Sequence, residues 1–303
     1  MPRKKRNTIC RSKRKKITIT ARDQLWLSVA LATVTVVMMS AISCSVTKYD
    51  IPESSDIESG REIFAVPQFA SEGLELPNID APEFIISNKT GRYTICYDTA
   101  HRQAAWVAYV LTAEDVKEKG AERSDRFVID ATVKANGWPY AASTDYTNSG
   151  YDRGHLLPSA DRNCGKEENK ATFLMSNIAP QTAALNRGVW KSLEEDVRRF
   201  AARYDSLWII TGSALRPELP RIGKNGISIP EIFFKAVLAK NDTGYMSVAF
   251  VIPNCDTHEK DYWHYSVSVD SAEELLGYDF FCNLPESLQA EAEAQHDKRM
   301  WTK

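Results

Sequence analysis

The sequence predicts an α+β domain with a sheet-rich core and few helices. Short runs rich in β-branched and aromatic residues recur between polar turns from Tyr93 to Ile252. One longer stretch, from Asn186 to about Tyr204, has the period of a helix instead. A chain of 303 residues that is 43% hydrophobic and 10% aromatic can bury a sizeable core.

In chain order, Tyr93–Tyr97 and Trp106–Leu111 read as strands bounded by polar turns. Phe173–Ile178 reads as a short strand stopped by Ala179-Pro180, because proline cannot donate to a ladder. On a wheel at about 100° per residue, Trp190, Leu193, Val197, Phe200 and Ala201 share one apolar arc, while Glu195 and Arg199 point away. Asn186, Glu194 and Arg198 fall on or beside that arc. Further strands follow at Leu207–Gly212, Ile232–Leu238 and Tyr245–Ile252, separated by Asn225-Gly226 and the Asp242-Thr243-Gly244 turn. Ser271–Gly277 reads as a short helix with a serine N-cap, an acidic first turn and a closing glycine. The tail after Pro285 has helical propensity but is highly charged, and is expected to be peripheral. No internal repeat is visible.

The N-terminus predicts a topogenic segment. Ten Lys/Arg within residues 1–23 precede an uncharged apolar run of about twenty residues, long enough to cross a membrane once. A basic start, an apolar run and a small-residue end describe an export signal whose cationic end stays in the cytoplasm. The run closes on Ala41-Ile42-Ser43-Cys44, which resembles a bacterial lipobox, although Ala41 stands where leucine is commonest. A lipoprotein at Cys44, an uncleaved signal anchor and a cleaved secreted protein are the three outcomes. Residues 45–82, rich in Ser, Glu, Pro and Asp without sustained period, read as a flexible tether. Residues 83–288 are then the folded domain, and 289–303 a charged tail.

The formal net charge of −2 conceals an asymmetry. Setting aside residues 1–23 leaves 28 basic and 39 acidic residues, so the body is acidic by 11 charges. Such a body lacks the basic face by which stable nucleic-acid binders neutralise phosphate. An enzyme that releases its products needs only a few local cations. Four of the six cysteines lie in the body, Cys96, Cys164, Cys255 and Cys282, with no zinc spacing. After export they allow one or two disulfides, with Cys255–Cys282 the candidate pair and unpaired thiols the alternative.

Two blocks carry chemistry: Tyr151-Asp152-Arg153-Gly154-His155-Leu156-Leu157-Pro158, and Leu185-Asn186-Arg187-Gly188-Val189-Trp190-Lys191-Ser192-Leu193-Glu194. With Asp152 three residues before it and Gly154 at its shoulder, His155 can be held in one tautomer by a carboxylate or a carbonyl and act as a general base near neutral pH. A lone histidine is more often a packed or surface residue, so context has to decide. Phosphodiester cleavage supplies that context. It needs a base to activate water, a cation on the phosphate and a divalent metal to offset charge at the leaving oxygen. Arg153 can be the cation, Asn186 can offer an amide oxygen to the metal, and Glu194 can hold its water. Arg198 either reaches phosphate or pairs with Glu194 at i,i+4, and spacing favours the pair. Asn177, at a strand end, either orients a substrate oxygen or caps a turn.

These two blocks, with Ser176-Asn177-Ile178-Ala179-Pro180-Gln181 between them, resemble the DNA/RNA non-specific endonucleases, the group of endonuclease G and the secreted Serratia-type nuclease. Thr211-Gly212, Ile229-Pro230, Phe233-Phe234-Lys235, Ala249–Asn254 and Gly277–Phe281 extend the likeness, which covers roughly residues 90–286. The resemblance implies a ββα-metal (His-Me) finger inside an α+β domain built on antiparallel sheet. It implies His155 as the base, Asn186 as the direct ligand of Mg²⁺, which Mn²⁺ or another divalent cation can replace, and Glu194 on the metal's hydration shell. Arg153 and Arg198 would contact the phosphate, Asn177 would support the site, and Asp152 would orient the finger. DNA and RNA would be cut through backbone contacts alone, leaving 5′-phosphates.

Two other readings compete: a non-catalytic surface module that binds nucleic acid or protein, and a hydrolase of another phosphodiester or of envelope material. Intact His155, Asn186 and Glu194 argue against the first. His258 and His264 match no zinc spacing and read as packed or loop residues. Whether the protein forms a homodimer or meets an inhibitor protein is left open by the sequence.

Overall fold

A strand that is apolar on both sides needs cover on both sides. Ile232–Asn241 is such a strand, buried at every residue from Phe233 to Ala239. The computed structural model describes residues 73–117, 120–294 and 296–302, all within one compact unit that spans Ile63–Lys303.

The strands are β1 (Ile85–Asn88), β2 (Tyr93–Asp98), β3 (Gln103–Thr112), β4 (Asp152–His155), β5 (Ile178–Gln181), β6 (Ser206–Ser213), β7 (Arg221–Ile222), β8 (Ile227–Ser228), β9 (Ile232–Asn241), β10 (Gly244–Pro253) and β11 (Ser266–Val267). The helices are α1 (Ala113–Lys117), α2 (Ala131–Ala135), α3 (Lys166–Ala171), α4 (Trp190–Tyr204), α5 (Val269–Leu276), α6 (Glu286–Glu293) and α7 (Lys298–Thr302). Seven strands form one sheet in the order β1-β2-β3-β6-β9-β10-β11, and every pairing in it is antiparallel. The β4–β5 and β7–β8 ribbons stand apart from it.

Strand alternation sends Ile95, Val107, Tyr109, Ile209, Val237 and Val248 to one face, where Trp190, Leu193 and Val197 of α4 cover them. Trp106, Ala108, Trp208, Ile210, Phe234, Ala236 and Leu238 go to the other, beneath Val269 and Ala272 of α5, Leu284 and Ala292. Each fully buried side chain of this kind contributes roughly 1.5–3 kcal/mol over an exposed one. The catalytic-type residues all stand on the α4 side.

Several expectations need correction. Phe173–Ile178 is not a strand: Met175–Asn177 is a 3-10 turn, and β5 begins at Ile178 and contains Ala179-Pro180. Proline is tolerated there because β5 belongs to a two-stranded ribbon with a free edge. The N-cap of α5 lies three residues before the expected one, with Ser268 accepting from the Ser271 amide, and the helix does end at Gly277 in the left-handed region, φ 76°. The tail is not peripheral at its end. Trp301 is 2% exposed and packs against Phe200 and Tyr204 at 5.2 and 5.8 Å between ring centroids. Leu74 and Leu76, from the stretch read as tether, are buried against the other face.

The four body cysteines are free thiols, so Cys255 and Cys282 do not pair; their sulfurs lie against the Thr257 and Leu76 carbonyls. Among the described residues no helix is long and apolar enough to cross a membrane. The apolar run 25–42 and Cys44 lie outside the described residues.

Candidate active site

β4 and β5 pair with Asp152 opposite Gln181, Arg153 opposite Pro180, Gly154 opposite Ala179 and His155 opposite Ile178. The chain then turns into α4, so the two motif blocks form a β-ribbon followed by a helix. Gly154 makes the ribbon's close packing feasible, since a Cβ there would lie 2.3 Å from the buried Gln181 side chain. Asn254, after β10, donates to the carbonyls of Pro180 and Pro230 and accepts from the Thr182 amide. That one side chain ties the ribbon to the end of the main sheet.

Asn177 is completely buried. Its Oδ1 accepts from the Leu157 amide at 2.9 Å, and its Nδ2 donates to the carbonyls of Leu157 and Thr172. All of its capacity is spent inside the finger, so it fixes the backbone just beyond His155 and has nothing left for substrate.

His155 is 8% exposed, wedged between the Phe173 and Phe127 rings at 4.8 and 5.6 Å. Its Nε2 is enclosed without a hydrogen-bond partner. Burial pushes its pKa down to about 3, aided by the Arg123 cation and opposed by Asp125. The ring is therefore neutral at ordinary pH, the form a base requires.

Asp152 does not hold His155, contrary to expectation. Residues three apart on a strand face opposite ways, and Asp152 accepts instead from Asn186 Nδ2 at 3.0 Å and from Arg187 at 2.7 and 2.6 Å. Arg187, followed by burial and by Asn186, sets its acidity, with the net result below the usual carboxylate range. Its geometric effect is on Asn186: with Nδ2 committed to Asp152, Oδ1 is left as the amide's free donor atom.

Asn186 does not begin a regular helix. Leu185–Val189 forms a π turn with Gly188 at φ −110°, ψ −110°, and regular α geometry starts at Trp190. Such one-turn insertions are common at functional sites. Thr182 accepts through its backbone carbonyl from the Asn186 amide and through Oγ1 from the Leu185 amide, while its hydroxyl donates to Cys255.

A cleft of about 440 Å³ is lined by His155, Arg153, Asn186, Glu194 and Arg198, together with Arg123, Arg187 and Lys191. The structure thus brings the expected residues together, apart from Asn177 beneath the finger and Asp152 behind Asn186. Arg153 lies over the Phe127 and Tyr146 rings at 5.4 and 5.7 Å and donates to the Ser143 carbonyl. Five cations line the cleft, of which Arg123, Arg187, Lys191 and Arg198 are ion-paired with Asp125, Asp152, Glu195 and Asp161.

Arg198 is not Glu194's ion-pair partner. It pairs with Asp161 at 2.9 Å, and Asp161 also accepts from the Tyr109 hydroxyl at 3.0 Å. Asp161, Arg123 and Lys235 are the residues that sequence reasoning missed. Lys235 is fully buried on β9, its Nζ lacks a hydrogen-bond partner, and it sits 5.2 Å from the Trp190 ring and 5.8 Å from that of Tyr109. Burial lowers its pKa and raises that of Glu194, and each group's charge opposes the other's shift. A lysine inside an otherwise apolar strand was the available signal. His258 and His264 keep the packed, loop-type reading, with His258 Nε2 on the Cys255 carbonyl and His264 against Tyr265.

Asn186 Oδ1 and the half-buried Glu194 carboxylate make an all-oxygen donor set, which fits a hard divalent cation that keeps most of its waters. A larger hollow, about 1230 Å³ between Leu74, Trp208, Tyr245 and Met300, contains none of these groups.

Residues 78–287 match the model of the DNA/RNA non-specific endonuclease family. A nuclease of Nostoc sp. is 36% identical over 215 residues, covering 68% of this chain and 77% of its own. Bovine mitochondrial endonuclease G is 30% identical over 222 residues, covering 69% and 74% respectively. The solved structure of an EndoG/EndoGI complex superposes with a TM-score of 0.63 at 27% identity, over 72% of this chain and 92% of that one. The antiparallel sheet carrying a ββα-metal finger is thus the nuclease fold that the motifs implied, and the chain belongs to the DNA/RNA non-specific endonuclease family.

Proposed function

We propose that this nuclease is an Mg²⁺-dependent, sugar-non-specific endonuclease that hydrolyses DNA and RNA to 5′-phosphate ends. The observation that carries the reading is the Asp152–Asn186 hydrogen bond, which presents an amide oxygen in the cleft that His155 also lines. His155 takes the proton from the attacking water through Nδ1, the nitrogen that the enclosure of Nε2 leaves for the cleft. Arg153 and Arg198 receive the phosphate, Arg198 held in place by Asp161. Asn186 would hold a divalent cation and Glu194 its bound waters, and the cation would supply charge to offset that developing at the leaving oxygen. Backbone contacts alone need no base recognition, so both sugars and both strandedness states are substrates. The apolar run 25–42 further suggests that the enzyme works outside the cytoplasmic membrane.

The test uses residues 45–303 with plasmid, single-stranded DNA and RNA, in Mg²⁺ and then in EDTA. Cutting of all three that stops in EDTA, with ends that ligate without prior phosphorylation, is expected. Equal cutting in EDTA, or 3′-phosphate products, would overturn the mechanism.

A further inference from the structure

The sheet face opposite the cleft carries a second polar cluster. Asp270 and Glu273 come from α5 and Glu293 from the last turn of α6, and one carboxylate oxygen from each lies within 4.8 Å of the other two. Glu293 is 3% exposed, and its Oε1 has no hydrogen-bond partner. The charged neighbours that bear most on it are Glu273, Asp270 and Asp279, all acidic. Leaving a buried carboxylate oxygen unpaired against like charges is costly. A shared proton or a cation would relieve it.

Three details favour a cation. Every donor is a carboxylate oxygen, which suits a hard ion. Asp270 is exposed, so an ion can enter and keep water on that side. Glu273 is already braced, with Oε1 accepting from the Phe280 amide at 2.6 Å. The loop between the helices puts Phe280, Phe281 and Leu284 into the core, so a tie between α5 and α6 would clamp a packed layer.

We propose that Asp270, Glu273 and Glu293 bind a calcium-type divalent cation that staples α5 to α6, on the far side of the sheet from the catalytic cleft. Calcium fits better than magnesium because it accepts several carboxylates and waters in irregular geometry, whereas magnesium demands a near-ideal octahedron and dehydrates reluctantly.

The experiment uses residues 45–303 carrying Asn186→Ala, which removes the cleft's protein ligand, after EDTA stripping. Calcium is titrated by calorimetry and by thermal denaturation. A saturable heat and a rise in Tm of about 3–5 °C are expected, with a smaller rise in magnesium. Adding Glu293→Gln or, at the exposed position, Asp270→Asn should weaken calcium binding tenfold or more. Absence of a calcium response in Asn186→Ala, an equal response in both added variants, or a larger rise with magnesium would each overturn the proposal. Asp270→Asn keeps the test decisive if Glu293→Gln fails to fold.

Discussion

The two faces of the sheet each bury an ionisable side chain with an atom that has no hydrogen-bond partner, Lys235 Nζ towards the cleft and Glu293 Oε1 on the far side. Their surroundings differ in sign. Lys235 has Glu194 and Asp161 as charged neighbours of opposite sign, whereas Glu293 has Glu273, Asp270 and Asp279 of its own sign. On one face the chain supplies the counter-charge itself; on the other the nearest charges are all acidic, and a shared proton or the proposed cation would relieve them. The same contrast shows why the charge of the whole body says little about a nuclease. An acidic mean is compatible with five cations around one cleft, and local field, not net charge, governs what a cleft attracts.

The contrast can be broken, most severely at the base. His155→Ala should lower plasmid cleavage by about 10²–10⁴-fold; a variant that cuts at the parent rate would remove His155 from the chemistry. Asn186→Ala should lower activity by roughly a hundredfold, the scale of losing one transition-state contact, and raise the Mg²⁺ concentration needed for half-maximal rate. Unfolding of this variant would show that the amide serves the π turn alone. Next come the two buried charges. Lys235→Met should reduce activity about tenfold or more by leaving Glu194 without its buried counter-charge, while Glu293→Gln stays within about twofold of the parent, a difference worth roughly 1 kcal/mol. Equal losses in both would erase the distinction between the faces.

The smallest effect is in pH. Folding depresses the His155 pKa, so below the unfolded value near 6.5 the unfolded chain binds the extra proton and stability falls as pH drops from there towards about 3. His155→Phe lacks that penalty. Its Tm relative to the parent should therefore be higher at pH 5 than at pH 7.5, and an offset that does not change with pH would count against the buried, neutral imidazole.

What was legible in the sequence was local. Apolar runs announced β3, β6, β9 and β10 because both faces of these strands are largely covered, β2 was legible from its alternation, and the linked blocks gave His155, Asn186 and Glu194 because finger and helix are contiguous in chain. What was not legible depends on partners far apart. Arg198 meets Asp161 from 37 residues away, where i,i+4 spacing pointed to Glu194. Trp301 is buried only because Phe200 and Tyr204 receive it. The Phe173–Ile178 strand failed because the three hydrogen bonds of Asn177 fold Met175–Asn177 into a turn, which no propensity encodes.

The π turn at Leu185–Val189 also sets the phase of the helix that follows. Removing one residue from it would swing everything before the deletion by roughly 100° about the helix axis relative to Glu194 and Arg198. Asn186 would then turn from the cleft while every apolar residue of α4 kept its place. The length of this segment is thus constrained more tightly than most of its composition, and an insertion or deletion here should separate folding from nuclease activity where a substitution would not.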